Sequence, residues 1–333
     1  MKLRICILSD YAGVKDEGMR AIAFYLTKEL SRRHYVSNLE VMRIFSPKFW
    51  SDIKSFIPDI IHFIPGPTIY SFLIVKILKA SYPKGKVVMS ANLPVLSDLS
   101  RSFVKVLKPD ILLTQSRESE NMFIELGFKV HFLPNGVDVN VFKPVSPEEK
   151  LQLRKKYGFE ENKPLVLHVG SIRRIRNILL LSELSKKIEC NFLIVGSTSL
   201  PQESDVYDEL KKSDCHVINW YVERIEELYQ MADCYIFPVF NRLSSVEIPL
   251  SVMEAMACNL PVITTKFGGL PRIFEEDGGI LYAEKQDDFY HLLKRVLNED
   301  LTVETRKKVL PYSWERVSQE LEKIYYELIM GIH

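Results

Sequence analysis

The chain has 333 residues, 44 Lys and Arg against 43 Asp and Glu, a formal charge of +1 and 47% hydrophobic content. That length suggests two domains, and the composition excludes disordered and collagen-like chains. A balance so close to neutral also argues against a protein that coats nucleic acid. Five dispersed cysteines (Cys6, Cys190, Cys215, Cys234, Cys258) include no CxxC pair, so neither a disulfide framework nor a zinc knuckle is indicated and a reducing cytoplasm fits. The opening MKLRICILSDY reads as a buried strand rather than a signal peptide, because Asp10 ends its apolar run. The apolar stretch Ile69 to Leu78 contains Lys76 and is far short of the ~20 residues that span a bilayer.

In chain order, a first strand is predicted at Leu3–Ser9 and a helix from Met19 to about Arg33, where Ile22, Leu26 and Leu30 repeat every four residues. Strands follow at Ile60–Ile64, Val87–Ser90, Ile111–Gln115 and Val130–Leu133, with helices over Ile69–Ala80 and Glu118–Leu126. Lys143–Lys163, with its prolines and charges, reads as an interdomain linker. A second series has strands at Leu165–Val169, Phe192–Val195, His216–Ile218, Cys234–Phe237 and Pro261–Thr264. Its helices lie near Ile178–Lys187, Tyr207–Lys211, Ile225–Met231 and Leu250–Cys258, and a last helix runs from Trp314 to about Met330. Alternation of this kind builds parallel sheets. The expected architecture is α/β, two open parallel sheets in tandem with a cleft at their strands' carboxyl ends. Residues 1–145 form the first domain and 146–313 the second, with 314–333 returning to the first.

Several chemistries are missing. The chain has no GxGxxG, no GxxxxGK[ST], no DxD and no HExxH, so nicotinamide, P-loop and metal-centred readings have no support. Three loops remain. In Glu247-Ile-Pro-Leu-Ser-Val-Met-Glu254, Pro249 suits the first position of a helix. The amides of Leu250, Ser251 and Val252 would then open toward a diphosphate. Glu254 lies one turn in, where it can accept hydrogen bonds from ribose hydroxyls. Glu247 precedes the helix, facing what lies beyond the phosphates. The same segment also reads as a half-buried helix with two solvated acids. Arg173, Arg174 and Arg176, after a predicted strand, can neutralise a leaving diphosphate in place of a metal; equally they read as a solvated basic face. The loop Asp10 to Gly18, with Gly13, leads into the first helix and lets a ligand approach its N-terminus.

Together these residues resemble the family-4 glycosyltransferases of the GT-B architecture, two facing Rossmann-like domains. The resemblance rests on Gly18 with the helix toward His34-Tyr-Val36, Pro58-Asp-Ile-Ile-His62, Pro109-Asp-Ile-Leu-Leu-Thr-Gln-Ser116 and Leu133-Pro-Asn-Gly-Val-Asp138. It continues through Ala232-Asp-Cys-Tyr-Ile-Phe-Pro238, Glu254-Ala-Met-Ala-Cys-Asn-Leu-Pro-Val-Ile263, Gly268-Gly-Leu-Pro271 and Tyr312-Ser-Trp314. It implies a retaining, metal-free transfer of a sugar from a nucleotide-sugar to a hydroxyl of a glycan, lipid or small molecule. By position, Glu254 would bind ribose, the Leu250 and Ser251 amides phosphate, and backbone near Val222 the base. Gly18, Ser171, Arg173, Arg174, Arg176 and Pro249 would complete the donor site, and Glu247 and Asn92 would face the reacting sugar. Val246 stands where the family carries its first acid, Ser171 where it carries an arginine, Arg176 where it carries a lysine, Asn92 where it carries a histidine and Arg272 where an acid is usual. Those departures leave room for a non-catalytic relative that binds a nucleotide-sugar or a partner enzyme; a nucleotide-sugar 2-epimerase is a further alternative. The expected protein is cytoplasmic, with peripheral contact to the inner membrane face if its acceptor is lipid-linked.

Overall fold

The protein is described from a computed structural model over residues 1–10, 18–94, 96, 101, 103–199 and 202–332. The glycine-bearing loop at 11–17, Gly13 included, lies outside the described residues. Among those described, all strand pairs are parallel and form two six-stranded sheets. The chain divides into two units. One comprises Met1–Gly136, Ser245–Ile248 and Trp314–His333, the other Val137–Ser244 and Pro249–Ser313.

In the first unit, β1 (Arg4–Ser9), β2 (Tyr35–Glu40), β3 (Ile60–Phe63), β4 (Lys86–Ala91), β5 (Ile111–Thr114) and β6 (Val130–Phe132) run in the order β2-β1-β3-β4-β5-β6. The central strands are apolar runs buried on both faces, as parallel sheets require. Edge strand β2 was not predicted, because Tyr-Val-Ser-Asn-Leu-Glu is polar and only half-buried. Helix Pro47–Phe56 was not predicted either; Ser46 caps it by accepting the Phe49 amide at 3.2 Å. It packs Phe49 and Ile53 into one core with Phe72 and Val75 of helix Ile69–Ser81 and Phe123 of helix Arg117–Glu125.

The last helix, Trp314–Met330, belongs to this first unit and is fixed to it by polar contacts that span the sequence. Trp314 stacks on Tyr25 of helix Gly18–Leu30 at 5.3 Å between centroids. Glu322 meets both His34 and the Arg33 guanidinium, the latter at 2.7 Å. His62 bridges the Tyr325 hydroxyl at 2.6 Å and the Ser90 hydroxyl at 2.8 Å. Burial pushes the His62 pKa down to about 3, so the ring is neutral, with one nitrogen donating and the other accepting.

In the second unit, β7 (Leu165–Gly170), β8 (Asn191–Gly196), β9 (Cys215–Ile218), β10 (Cys234–Phe237), β11 (Val262–Thr265) and β12 (Ile280–Ala283) run in the order β12-β11-β10-β7-β8-β9. Strand β12 and helix Asp288–Asn298 extend the predicted series. The linker expected at Lys143–Lys163 is instead largely a helix, Pro147–Tyr157. Its ends follow helix rules: a Ser146–Glu149 capping box, Pro147 in the first turn, acids first, bases last, and Gly158 left-handed at φ 78°. Buried Arg154 ties it down, donating to the Met231 carbonyl at 3.0 Å and the Glu161 carbonyl at 2.7 Å and pairing with Asp233. The units change at Gly136/Val137 rather than at 145/146. Val137 bridges Ser313, and Arg306 donates to the Val139 and Phe142 carbonyls, so 137–145 is held by the second unit. All five cysteines are buried and unpaired.

Replacing Tyr325 by Phe leaves one His62 nitrogen buried without its partner. Unfolding free energy is expected to fall by about 1–3 kcal/mol, read by urea denaturation; an unchanged midpoint would show that the bridge carries no stability.

Candidate functional site

Strand order reverses between β7 and β10, and in open parallel sheets the crevice outside such a reversal receives ligands. β7 ends at Gly170 and is followed by the buried Ser171 and a short 3-10 turn at Arg174–Arg176 that closes on Asn177 in the left-handed region, φ 57°. That turn folds the Arg176 guanidinium back over the backbone of Gly170. A Cβ at Gly170 would collide with it. From the loop after β10, the Ser244 carbonyl accepts from Arg176 Nε at 3.0 Å, so one side chain links both loops of the reversal point. Among the described residues no carboxylate pairs with Arg176. Burial pushes its pKa down to about 10, which leaves it cationic at neutral pH.

The other two arginines go elsewhere. Arg174 pairs with Asp205 at 2.7 Å and is exposed, while Arg173 lies 3.8 Å from Glu203 and is partly exposed. The predicted cluster of three thus becomes one cation folded onto the Gly170 backbone and two paired with acids, because Glu203 and Asp205 at the start of the neighbouring helix Ser204–Lys211 attract the outer two.

Helix Leu250–Ala257 begins at the predicted residue, but Pro249 stands just before its first position. Pro249 is its cap, extended at ψ 127°, with no side-chain acceptor for the first-turn amides. The Tyr235 hydroxyl donates to the Val169 carbonyl at 3.2 Å. Tyr235 thus ties β10 to β7. Glu254 accepts from the Tyr229 hydroxyl at 2.8 Å. Desolvation raises its pKa to about 7 despite that bond. Behind them the rings of Tyr229, Tyr235, His168 and Phe237 stack at 5.8–6.4 Å. His168 Nδ1 lies 2.8 Å from the Ile236 carbonyl, and burial pushes its pKa down to about 4. Val222 is half-buried in the loop between β9 and helix Ile225–Met231, beside the exposed Trp220 and Tyr221. Tyr229, Tyr235 and His168 were not anticipated; Tyr235 sits in the quoted Ala232–Pro238 segment, which was the available signal.

The remaining predicted residues belong to the first unit. Gly18 opens its helix with the Val246 methyls 3.6 Å from where a Cβ would lie, an ordinary contact. Asn92 is buried: Nδ2 donates to the Ile64 carbonyl at 3.1 Å and Oδ1 accepts from Gln115 Nε2 at 3.1 Å. Its own carbonyl accepts the Glu247 amide at 2.9 Å. Glu247, expected in an open loop, is only 5% exposed. Its two carboxylate oxygens accept from Ser116 at 2.6 Å and Ser119 at 2.8 Å, at the opening of helix Arg117–Glu125. Asn135 donates to the Ile248 carbonyl at 2.7 Å and Gln115 accepts the Ile248 amide at 3.3 Å. The acid is therefore spent on hydroxyls and a helix dipole, through partners some 130 residues away that sequence spacing could not reveal.

Glu254 has a consequence for stability. An unfolded carboxyl titrates near 4.5 and the folded one near 7, so between these values the native chain holds the extra proton. Its share of stability is then present below 4.5 and lost as pH rises through 7. Thermal melts of the parent relative to Glu254→Gln are expected to diverge across pH 5 to 8, with the parent losing more; parallel curves would refute the shift.

Residues 149–314 match the sequence profile of the family "Glycosyl transferases group 1". The sulfoquinovosyl transferase SQD2 of Arabidopsis thaliana is 25% identical over 358 residues, covering 97% of this chain and 66% of that protein. The chain thus spans slightly under two thirds of that relative's length, and its matches span 37% and 54% of two further curated relatives. Among solved structures, sucrose-phosphate synthase from Thermosynechococcus elongatus aligns with TM-score 0.77 at 16% identity, over 98% of this chain and 99% of that one. Anabaena HepE in complex with UDP aligns with TM-score 0.78 at 16% identity, over 98% and 100%. The two parallel-sheet units are those of the GT-B architecture, and residues 149–314 carry the match to the glycosyl transferases group 1 family.

Proposed function

We propose that the protein transfers a sugar from a nucleotide-sugar to a hydroxyl acceptor, with retention of configuration and without a metal, as a cytoplasmic family-4 glycosyltransferase. The observation that carries this reading is Arg176: a half-buried cation at the reversal point of a parallel sheet, with no acid beside it among the described residues. An anion is the natural complement. In this reading the diphosphate meets Arg176 and the uncapped first turn of helix Leu250–Ala257, where Leu250 and Ser251 lend their amides. Ionised Glu254, oriented by Tyr229, accepts from the ribose hydroxyls. Backbone near Val222 meets the base. UDP is the first nucleotide to try, since HepE is held in complex with it.

The chemistry then requires little of the protein beyond charge and position. The bond from C1 of the sugar to the phosphate oxygen breaks, and the acceptor oxygen bonds C1 on the same face. Its proton passes to a phosphate oxygen, and Arg176 offsets the charge left on the departing diphosphate. Asn92 has its side-chain amide engaged on both sides and Glu247 has both oxygens engaged, so neither is assigned a proton-transfer step. The acceptor is a glycan, a lipid-linked sugar or a small molecule.

In a thermal-shift series, millimolar UDP, ADP or GDP is expected to raise the melting temperature. Arg176→Ala is expected to weaken that binding roughly ten- to a hundredfold, the worth of a charge-assisted bond of about 1.5–3 kcal/mol. A flat response to every nucleoside diphosphate removes the proposal. A second reading, a nucleotide-sugar binder without transferase activity, is favoured by one observation, the engagement of Glu247 with Val246 in the family's acid position. Donor hydrolysis that arises only in Val246→Glu would support it; turnover by the parent chain would dismiss it.

A further inference from the structure

Helix Ile69–Ser81 is apolar on two faces. Phe72, Val75 and Leu78 enter the core, while Tyr70, Leu73 and Ile77, at helical spacing, form an exposed stripe, with Tyr70 75% exposed. A helix apolar all round normally has something packed on both sides. This stripe is not isolated. The connections β2 to β3, β3 to β4, β4 to β5 and β5 to β6 all advance in one direction along the sheet, so right-handed crossovers lay their helical segments side by side on one face. The shared core confirms that placement, since Ile44, Phe49, Phe72, Val75 and Val104 all belong to it. On the outer side of the same layer, Phe45 of the first connection is 85% exposed, and Phe103 and Val106 of the third also face solvent.

Charge identifies the partner. Residues 40–129 contain twelve Lys and Arg but eight Asp and Glu, a local excess of four in a chain whose total is +1. Lys48, Lys54, Lys76 and Lys105 are among the exposed cations of this layer. No helix among the described residues is long and apolar enough to cross a membrane. We infer that this face of the first unit docks on an anionic lipid surface, its lysines meeting headgroup phosphates and its aromatic and aliphatic side chains entering the boundary with the acyl chains. A partner protein or second copy would need no such excess of one sign. The inference stands on the layer's composition and does not depend on the reaction proposed above.

The test is flotation of the full chain with phosphatidylcholine vesicles, with and without about a third phosphatidylglycerol, at low and high salt. The expected result is binding to the phosphatidylglycerol vesicles alone, weakened by salt. Lys76→Gln and Lys105→Gln are each expected to lower the partition coefficient about fivefold, from roughly 1 kcal/mol per cation at such a surface. Leu73→Glu should abolish binding, while Lys294→Gln, an exposed cation of the second unit, should leave it unchanged. These side chains are exposed, and melting curves of each variant verify its fold. Equal binding to both vesicles, no binding to either, or a concentration-dependent dimer dispersed by Leu73→Glu would each overturn the inference.

Discussion

A guanidinium partly withdrawn from water without a carboxylate beside it is a standing cost to the folded chain, and Arg176 is in that position. The Ser244 carbonyl satisfies one N–H, but a neutral acceptor cannot neutralise the charge. The backbone makes room for this arrangement at one residue: Gly170, where any side chain would collide with the guanidinium. Had stability been the only requirement, an aspartate in the loop after β10 would offset the charge. Its absence among the described residues leaves electrostatic potential at the reversal point for an anion to use, in a low-dielectric setting where each charge counts for more than in water.

The aromatic column behind this cation organises its surroundings. Tyr235 donates to the Val169 carbonyl, and Tyr229 fixes Glu254. Helix Leu250–Ala257 is short, so its position rests on the Tyr229 phenol as well as on apolar packing by Val252, Met253 and Met256. The same column explains why Glu254 is displaced upward in pKa. Its surroundings are rings rather than water, and one phenolic bond does not offset that loss.

Much of the fold was legible because periodicity reports burial. Helices Ile225–Met231 and Trp314–Met330 begin and end where their patterns do. Strand β2 was missed because an edge strand need not be apolar, and helix Pro147–Tyr157 because proline and charge, which usually interrupt structure, here supply a first turn and a favourable dipole. Within the site, spacing located Glu254 and Ser251 on one short helix. It could not sort three neighbouring arginines into one without an acid and two paired with acids, since that depended on Glu203 and Asp205 some thirty positions on. Nor could it see that Glu247 would be matched by Ser116 and Ser119.

That match bears on where proton chemistry can lie in each unit. In the first, Asn92, Gln115 and Asn135 are neutral amides, and the carboxylate among them is held by two hydroxyls. His62, within the same sheet, is kept neutral by burial. His168 in the second unit is likewise held neutral, by burial and by the field of Arg176. Neither histidine therefore exchanges a proton near pH 7, whereas Glu254 is brought to about that value. If a nucleotide-sugar binds as proposed, its affinity is expected to strengthen as pH rises through about 7, because Glu254, one turn inside the helix, accepts hydroxyl donors more strongly in its ionised form.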